Sequence, residues 1–393
     1  MQNFVSIPWI AHQYEELMSR FSATEDLLVE FIDFRSAIQS RRLADRFEFM
    51  KYALEEPDAF RSDVLSVLAA TPRSAHGLVV THDWPPGLHD ITQVFRDLGV
   101  PVVLIPHESV FADRDKFYRY APNGVSAPIA DHILVWGNLQ REIFEERGVA
   151  PQKMAVVGSP KIEATLTYRP RLTREDYLRF HGLDPARSTI LFAMQPLDQQ
   201  FGANARTAQR QAVLDAHDIA CAEGHNLIVR LHPAFSPQRK AHYLGDLPER
   251  LGQSSIAVLE DPALQQAGAG PLESIVHTDL VVSFNSTMLL EASFLDRPAI
   301  SLTYVPFNEM WVTNGGIPRA SDASEFAAMI RRHLGSRSRT LSEEGWRWVK
   351  WAFSPGEFDG AAFDRIANHL RVHFDRSYDL QALAMRAQNE ASR

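Results

Sequence analysis

The densest chemistry in the sequence lies in DLVVSFNSTMLLEASFLDRPAISL, residues 279–302. An apolar run ends at Ser283. A polar turn, Phe284-Asn285-Ser286-Thr287, then leads straight into helix-forming residues. Free backbone N–H groups at a helix N-terminus, with the helix dipole behind them, favour phosphate. Ser286 and Thr287 add hydroxyl donors. Glu291 lies one turn beyond Thr287 on the same helix face, where a carboxylate can accept hydrogen bonds from ribose hydroxyls. The same residue types also make a plain helix cap, so the turn alone leaves both readings open.

A second candidate is NLIVRLHPAFS. Arg230 and His232 are two residues apart on a strand pattern and so project the same way. They could bring charge and a hydrogen bond to a phosphate. An Arg paired with a carboxylate and a His capping the turn before Pro233 is the plainer alternative. Gln195, near the end of the run STILFAMQP, joins the donor-binding candidates, and Asn285 and Gly270 are candidate lining residues. A third candidate is VPVVLIPHESVFADRD, where His107 and Glu108 follow an apolar strand. A histidine there can act as general base or polarise a phosphate. An earlier run ends in THDWPPGLHD, which places His82 and Asp83 near His89 and Asp90. That spacing matches no standard metal motif, so His82 and Asp83 are read as catalytic or acceptor-touching candidates. Asp113-Arg114-Asp115 spells D-x-D in a polar loop, too short a match to carry a metal site. No metal is expected.

Negative signals narrow the chemistry. There is no G-x-x-x-x-G-K-[ST] phosphate loop and no G-x-S-x-G elbow. Gly268 and Gly270 in QAGAGPLES form only a G-x-G ahead of a helix, which suits a turn better than a dinucleotide fingerprint.

These residues need strands to hold them, and the sequence supplies strand–helix alternation. HGLVVTHD, VPVVLIPHES, ADHILVWGN and MAVVGSP read as short buried strands separated by helical stretches. After TYRPRLTRE, residues 167–175, the alternation restarts with STILFAMQP, HNLIVRLHP, SSIAVLED, DLVVSF and RPAISLTY. Pro271 opens the helix PLESIVHT at the favoured first position. The first seventy or so residues read as helical, from their helix formers and apolar spacing. Alternation of this kind predicts parallel sheets of βαβ units, with ligands beyond the carboxyl ends of the strands.

The chain has 393 residues, enough for two domains at ~100–200 residues each. Its formal net charge of -9 argues against a general nucleic-acid binder. The single cysteine, Cys221, excludes an internal disulfide and a cysteine-rich zinc site. The N-terminus lacks a basic region followed by a long apolar core, so no signal peptide is expected. No apolar stretch approaches the ~20 residues of a spanning helix. A cytoplasmic protein is predicted, with contact at the inner face of a membrane left open. Trp346, Trp348, Trp351 and Phe353 could meet a lipid interface, but a terminal helix packed on the first domain is the expected use. Arg331, Arg332, His333, Arg337 and Arg339 read as a solvated helix end.

The run ADHILVWGNLQREIFEERGVAPQKMAVVGSPKIE resembles the end of the N-terminal domain in bacterial surface-polysaccharide GT-B glycosyltransferases. That group includes capsule polysaccharide synthesis proteins and CDP-glycerol glycerophosphotransferases. IVRLHP and SFNSTMLLEASFLDRPAISL are similar to its donor-binding HP and S-x-x-S/T…E elements. PHES is similar to its N-domain His element, with Glu108 where Gly often stands. The resemblance implies an α/β protein of two Rossmann-like domains facing a central cleft, with C-terminal helices returning to the first. The expected boundaries are 1–168, 169–340 and 341–393. It implies donor binding by His232, Ser286, Thr287 and Glu291, catalysis centred on His107, and metal-independent chemistry. The predicted function is sugar transfer from a nucleotide-activated donor, used as co-substrate, to a glycan or lipid-linked glycan acceptor. The alternatives are a CDP-polyol phosphotransferase, a sugar-nucleotide epimerase and a non-catalytic glycan- or nucleotide-binding protein.

Overall fold

A computed structural model describes the chain except residues 10, 107–117, 119–122, 198–200, 233–234, 236, 246–255, 260–269, 306–309, 336–340 and 392–393. The chain divides into two compact units. The first comprises Met1–Glu163 with Lys350–Arg393, and the second comprises Ala164–Val349.

The strands of the first unit are β1 (Gln2–Ser6), β2 (Leu27–Phe31), β3 (Ser74–Ala75), β4 (Gly77–Val80), β5 (Val102–Leu104), β6 (His132–Val135) and β7 (Met154–Val156). The second unit carries β8 (Thr189–Ala193), β9 (Asn226–Arg230), β10 (Ile256–Leu259), β11 (Leu280–Ser283), β12 (Ala299–Leu302) and β13 (Arg319–Ala320). Tyr378–Asp379 (β14) pairs antiparallel with β3. The two large sheets are wholly parallel, in the orders β2-β1-β4-β5-β6-β7 and β10-β9-β8-β11-β12-β13. The apolar runs explain this arrangement. A parallel sheet is covered by helices on both faces, so its strands are apolar throughout rather than alternating. Every residue of β4, β5, β8, β9, β11 and β12 is buried.

One sequence expectation needs correction. The first seventy residues are not all helical, since β1 and β2 lie among them and pair in parallel. β2 is an edge strand with an uneven burial pattern. It presents neither clean alternation nor a continuous apolar run.

The C-terminal segment belongs to the first unit. Phe363, Ile366, Ala367, Leu370 and Phe374 share a core with Phe4, Val79, Val103 and Leu134. Gly77 permits that contact. A Cβ there would lie 2.7 Å from the Phe374 ring and 2.9 Å from the Pro101 carbonyl. Gly137 does the same for the helix Glu343–Phe353, because a Cβ would fall 2.2 Å from the Ala352 carbonyl oxygen. The tail aromatics are used in packing. Phe353 is buried with its ring 6.4 Å from Trp136, and Trp346 lies edge-on to Phe294 at 5.6 Å. Arg331 pairs with Glu223 at 2.7 Å, while Arg337 and Arg339 lie outside the described residues.

In the second unit, buried Glu273 organises the TYRPRLTRE stretch after which the alternation restarts. Its carboxylate accepts from the Leu172 N–H at 2.8 Å, the Arg171 N–H at 3.0 Å and the Tyr168 hydroxyl, and meets His277 Nε2 at 3.0 Å. Burial alone would raise this carboxyl, but the bonds it receives hold it below its usual range.

Candidate functional site

The strand order of the second sheet reverses between β8 and β11, with β9 and β10 on one side and β12 and β13 on the other. A parallel sheet opens a crevice at such a switch point, beyond the carboxyl ends of its strands. The register aligns those ends. Ala193 pairs with Arg230, Phe192 with Val282, and Ser283 with Ser301. Gln195, His232 and Asn285 therefore leave the sheet along the same edge.

Hydrogen bonds lace this edge together. Ser283 Oγ donates to the Ala193 carbonyl at 2.7 Å, and Ser301 Oγ to the Phe284 carbonyl at 2.8 Å. Gln195 Oε1 accepts from the Asn285 N–H at 2.8 Å and from Ser283 Oγ at 3.2 Å, bridging the two strands that flank the reversal. The backbone of Gln195 is itself clamped. Its N–H donates to Gln209 Oε1 at 2.9 Å, and its carbonyl accepts from Gln209 Nε2 at 2.8 Å. Gln209 is fully buried on the helix Ala203–Glu223. Nothing in the sequence singled it out, because a glutamine among alanines and arginines on a long helix reads as surface.

The turn then enters the helix Thr287–Phe294. Ser286 is its N-cap, and its Oγ accepts from the Met288 N–H at 3.2 Å. The capping reading is therefore realised, but it uses only the acceptor capacity of the hydroxyl. A serine hydroxyl that accepts a cap bond still has a proton to donate. The N–H groups of Ser286 and Thr287 have no partner among the described residues, as expected where a helix begins. Thr287 Oγ1 donates to Glu291 Oε1 at 3.3 Å, and Glu291 is buried. The threonine hydroxyl and the glutamate carboxylate thus share one helix face, as their spacing predicts.

The two residues of the HP strand diverge in use. Arg230 is buried, and its guanidinium donates to Ser274 Oγ at 3.0 Å. Ser274 in turn meets the Tyr177 hydroxyl at 2.8 Å, and its backbone N–H donates to the Gly270 carbonyl at 3.2 Å. Arg230 therefore fixes the start of the helix Pro271–Val276, whose N-cap is Gly270. Burial pushes Tyr177 up to about 12 and, with Arg230 nearby, His181 down to about 4. His232 is half-buried just beyond β9, its ring 6.2 Å from that of Phe235.

The first unit treats its strand-end polar residues differently. Asp83, beyond β4, is fully buried. Its carboxylate accepts from the Ile129 N–H at 2.8 Å, the Ala130 N–H at 3.0 Å and the Tyr118 hydroxyl. Burial raises this carboxyl, and the three donors oppose the rise. Its oxygens tie Tyr118, Ile129 and Ala130 to the end of β4. His82 is buried with Nδ1 3.1 Å from Thr81 Oγ1. Asp90 Oδ2 accepts from the Gly87 N–H at 3.0 Å and caps the helix Leu88–Asp97. His107, Glu108, the D-x-D at 113–115 and Gly268 lie outside the described residues. Among the described residues no cluster of His, Cys, Asp and Glu is arranged to hold a metal ion.

No protein-family model matches the sequence, and no curated protein does. Solved structures do resemble the fold. UDP-GlcNAc 2-epimerase of Methanocaldococcus jannaschii, solved with UDP-GlcNAc and UDP, is similar over 95% of this chain and 100% of its own, at 14% identity and a TM-score of 0.58. S. aureus MnaA, solved with UDP, is similar over 95% and 97%, at 12% identity and a TM-score of 0.62. A variant of the wall teichoic acid polymerase TagF is similar over 95% and 89%, at 11% identity and a TM-score of 0.56. Two Rossmann-like units with parallel sheets, the last helices packed on the first, make this chain a GT-B fold.

Proposed function

We propose that the chain is a glycosyltransferase that moves a sugar from a nucleotide-activated donor to a surface-glycan acceptor. One observation carries the reading. At the switch point of the second sheet, two backbone N–H groups lacking partners among the described residues and two hydroxyls stand at a helix start, with Glu291 one turn behind. Ser286 and Thr287 are assigned to the donor phosphates and Glu291 to the ribose. His232 and Asn285 line the same edge, and Gln195 sets its shape. Arg230 lends charge from beneath while holding Gly270 in place. The developing charge on the leaving phosphate would be met by preorganised N–H and O–H donors, a chemistry that asks for no metal. His107 is the proposed catalytic group, with Glu108 next to it in the sequence and His82, two residues past β4, as a second candidate. A lipid-linked acceptor would bring the protein to the inner face of the membrane. Among the described residues no helix is long and apolar enough to cross one.

The likeness to a UDP-GlcNAc 2-epimerase sustains one second reading, epimerisation of the donor sugar, and the likeness to TagF sustains transfer of a polyol phosphate. Product analysis separates them. The proposal expects acceptor-dependent release of a nucleoside diphosphate from a nucleotide sugar. Isomerised sugar without nucleotide release would replace it with epimerisation. CMP released from CDP-glycerol would replace it with phosphotransfer. Changing Ser286 and Thr287 together to Ala should weaken nucleotide binding in calorimetry, at about 1.5–3 kcal/mol for each hydrogen bond to charged phosphate. Unchanged affinity would remove the turn from the site.

A further inference from the structure

A separate pocket opens in the first unit, at the carboxyl ends of β1 and β2. It holds about 250 Å³ and is lined by residues 7–9 after β1, and by residues 33–35, 45–47 and Phe49 after β2. Strand carboxyl ends are where open parallel sheets place ligands.

The walls are aromatic. Trp9 packs on buried Phe49 with ring centroids 6.0 Å apart. Phe47 lines the cavity with its side chain 61% exposed, so its ring face is accessible. Flat aromatic faces suit the C–H face of a sugar ring, whose hydroxyls point to the sides.

The charges are unequally committed. Asp33 accepts from the Ser36 N–H at 3.2 Å and Ser36 Oγ at 2.6 Å. Asp45 accepts from the N–H groups of Phe47 and Glu48 at 2.8 and 2.9 Å. Both aspartates are therefore compensated by helix N-termini. Arg35 and Arg46 also line the pocket, and neither has a carboxylate within ion-pair distance among the described residues. Arg46 stacks on the Phe47 ring at 5.3 Å, which leaves its N–H edge open. Two arginines without carboxylate partners beside an aromatic wall favour a ligand that is a sugar on one side and an anion on the other.

We infer that this pocket, walled by Trp9 and Phe47 and bearing Arg35 and Arg46, holds a sugar ring that carries an anionic substituent, a carboxylate or a phosphate. The inference rests on the transfer reading and deepens it, because it makes the acceptor an acidic glycan.

Ligand-observed saturation-transfer NMR tests it with three probes: methyl β-D-glucuronide, glucose 1-phosphate and methyl β-D-glucoside. At least one anionic probe should bind about ten-fold or more tightly than the neutral glucoside, and which one binds identifies the anion. The double variant Arg35→Gln/Arg46→Gln changes exposed residues, so its melting temperature should hold while the anionic preference disappears. Phe47→Ala should weaken all three probes and keep the preference. Equal binding of the three probes, a preference that survives in the double variant, or no binding at all would overturn the inference. UDP and CDP affinities, measured on the same preparations, keep the two readings apart. Nucleotide binding without sugar binding sinks the pocket alone. Sugar binding without nucleotide binding sinks the donor site alone.

Discussion

The polar residues at the ends of β4 and β11 look alike in the sequence and do opposite things. Beyond β4, Asp83 is fully buried and its carboxylate receives three donors from its own unit. Beyond β11, Ser286 and Thr287 keep backbone N–H groups without partners among the described residues, and the Ser286 hydroxyl keeps its proton. A polar residue at a strand end is therefore evidence for a ligand only when its bonding capacity is unused by the fold. By that criterion the second sheet offers a binding edge, and β4 offers an anchor.

The most forceful way to break this contrast is Asp83→Ala. It strands the Ile129 and Ala130 N–H groups and the Tyr118 hydroxyl in the interior, at about 1–3 kcal/mol for each unsatisfied group. Urea denaturation should show a loss of about 3 kcal/mol or more. A variant of normal stability with lost turnover would make Asp83 catalytic and erase the distinction. Gln209→Ala sharpens the other side. It frees the backbone of Gln195 and with it the bridge to Asn285. Nucleotide affinity should fall by about ten-fold, with a smaller change in melting temperature. Rescue by Gln209→Glu would be partial, since a carboxylate can accept from the Gln195 N–H but cannot donate to its carbonyl.

The smallest effect concerns another inward-turned polar group of the first unit. His369 Nε2 lies 3.0 Å from His132 Nδ1, and burial, with His373 and His132 alongside, pulls His369 from 6.5 to about 4. His132 is lowered too. An unfolded chain then binds more protons than the folded one between those values, so stability is full above pH 6.5 and falls as pH drops toward 4. Amide exchange in the helix Ala362–His373, corrected for intrinsic rates, should show protection falling across that window. A flat profile there, or no difference in His369→Gln, would count against a structural role for the cluster.

Much of the architecture was legible because buried parallel strands are apolar throughout. Runs such as TILFA and LVVS can hardly be anything else at that length. β1 and β2 are hidden in the sequence because short strands set among good helix formers carry no periodic signal of their own. The Ser283–Glu291 element was legible because a strand, a polar turn and a helix follow one another within nine residues. The rest of the edge was not. Arg230 reads as a ligand residue until Ser274, forty-four positions later, is seen to accept its hydrogen bond. Gln209 and Glu273 act on segments that folding alone brings to them, and neither has neighbours in the sequence that betray the role.

The packing of Phe374 against Gly77 has a consequence for how the protein is made. The ribosome delivers the first unit's sheet early, but the helix that covers part of that core arrives only with residues 362–373. The second unit is an unbroken stretch of chain and can close as soon as it emerges. Vectorial synthesis here runs against the usual order, in which the N-terminal domain is finished first. Part of the nascent sheet's core stays uncovered until residues 362–373 have been made.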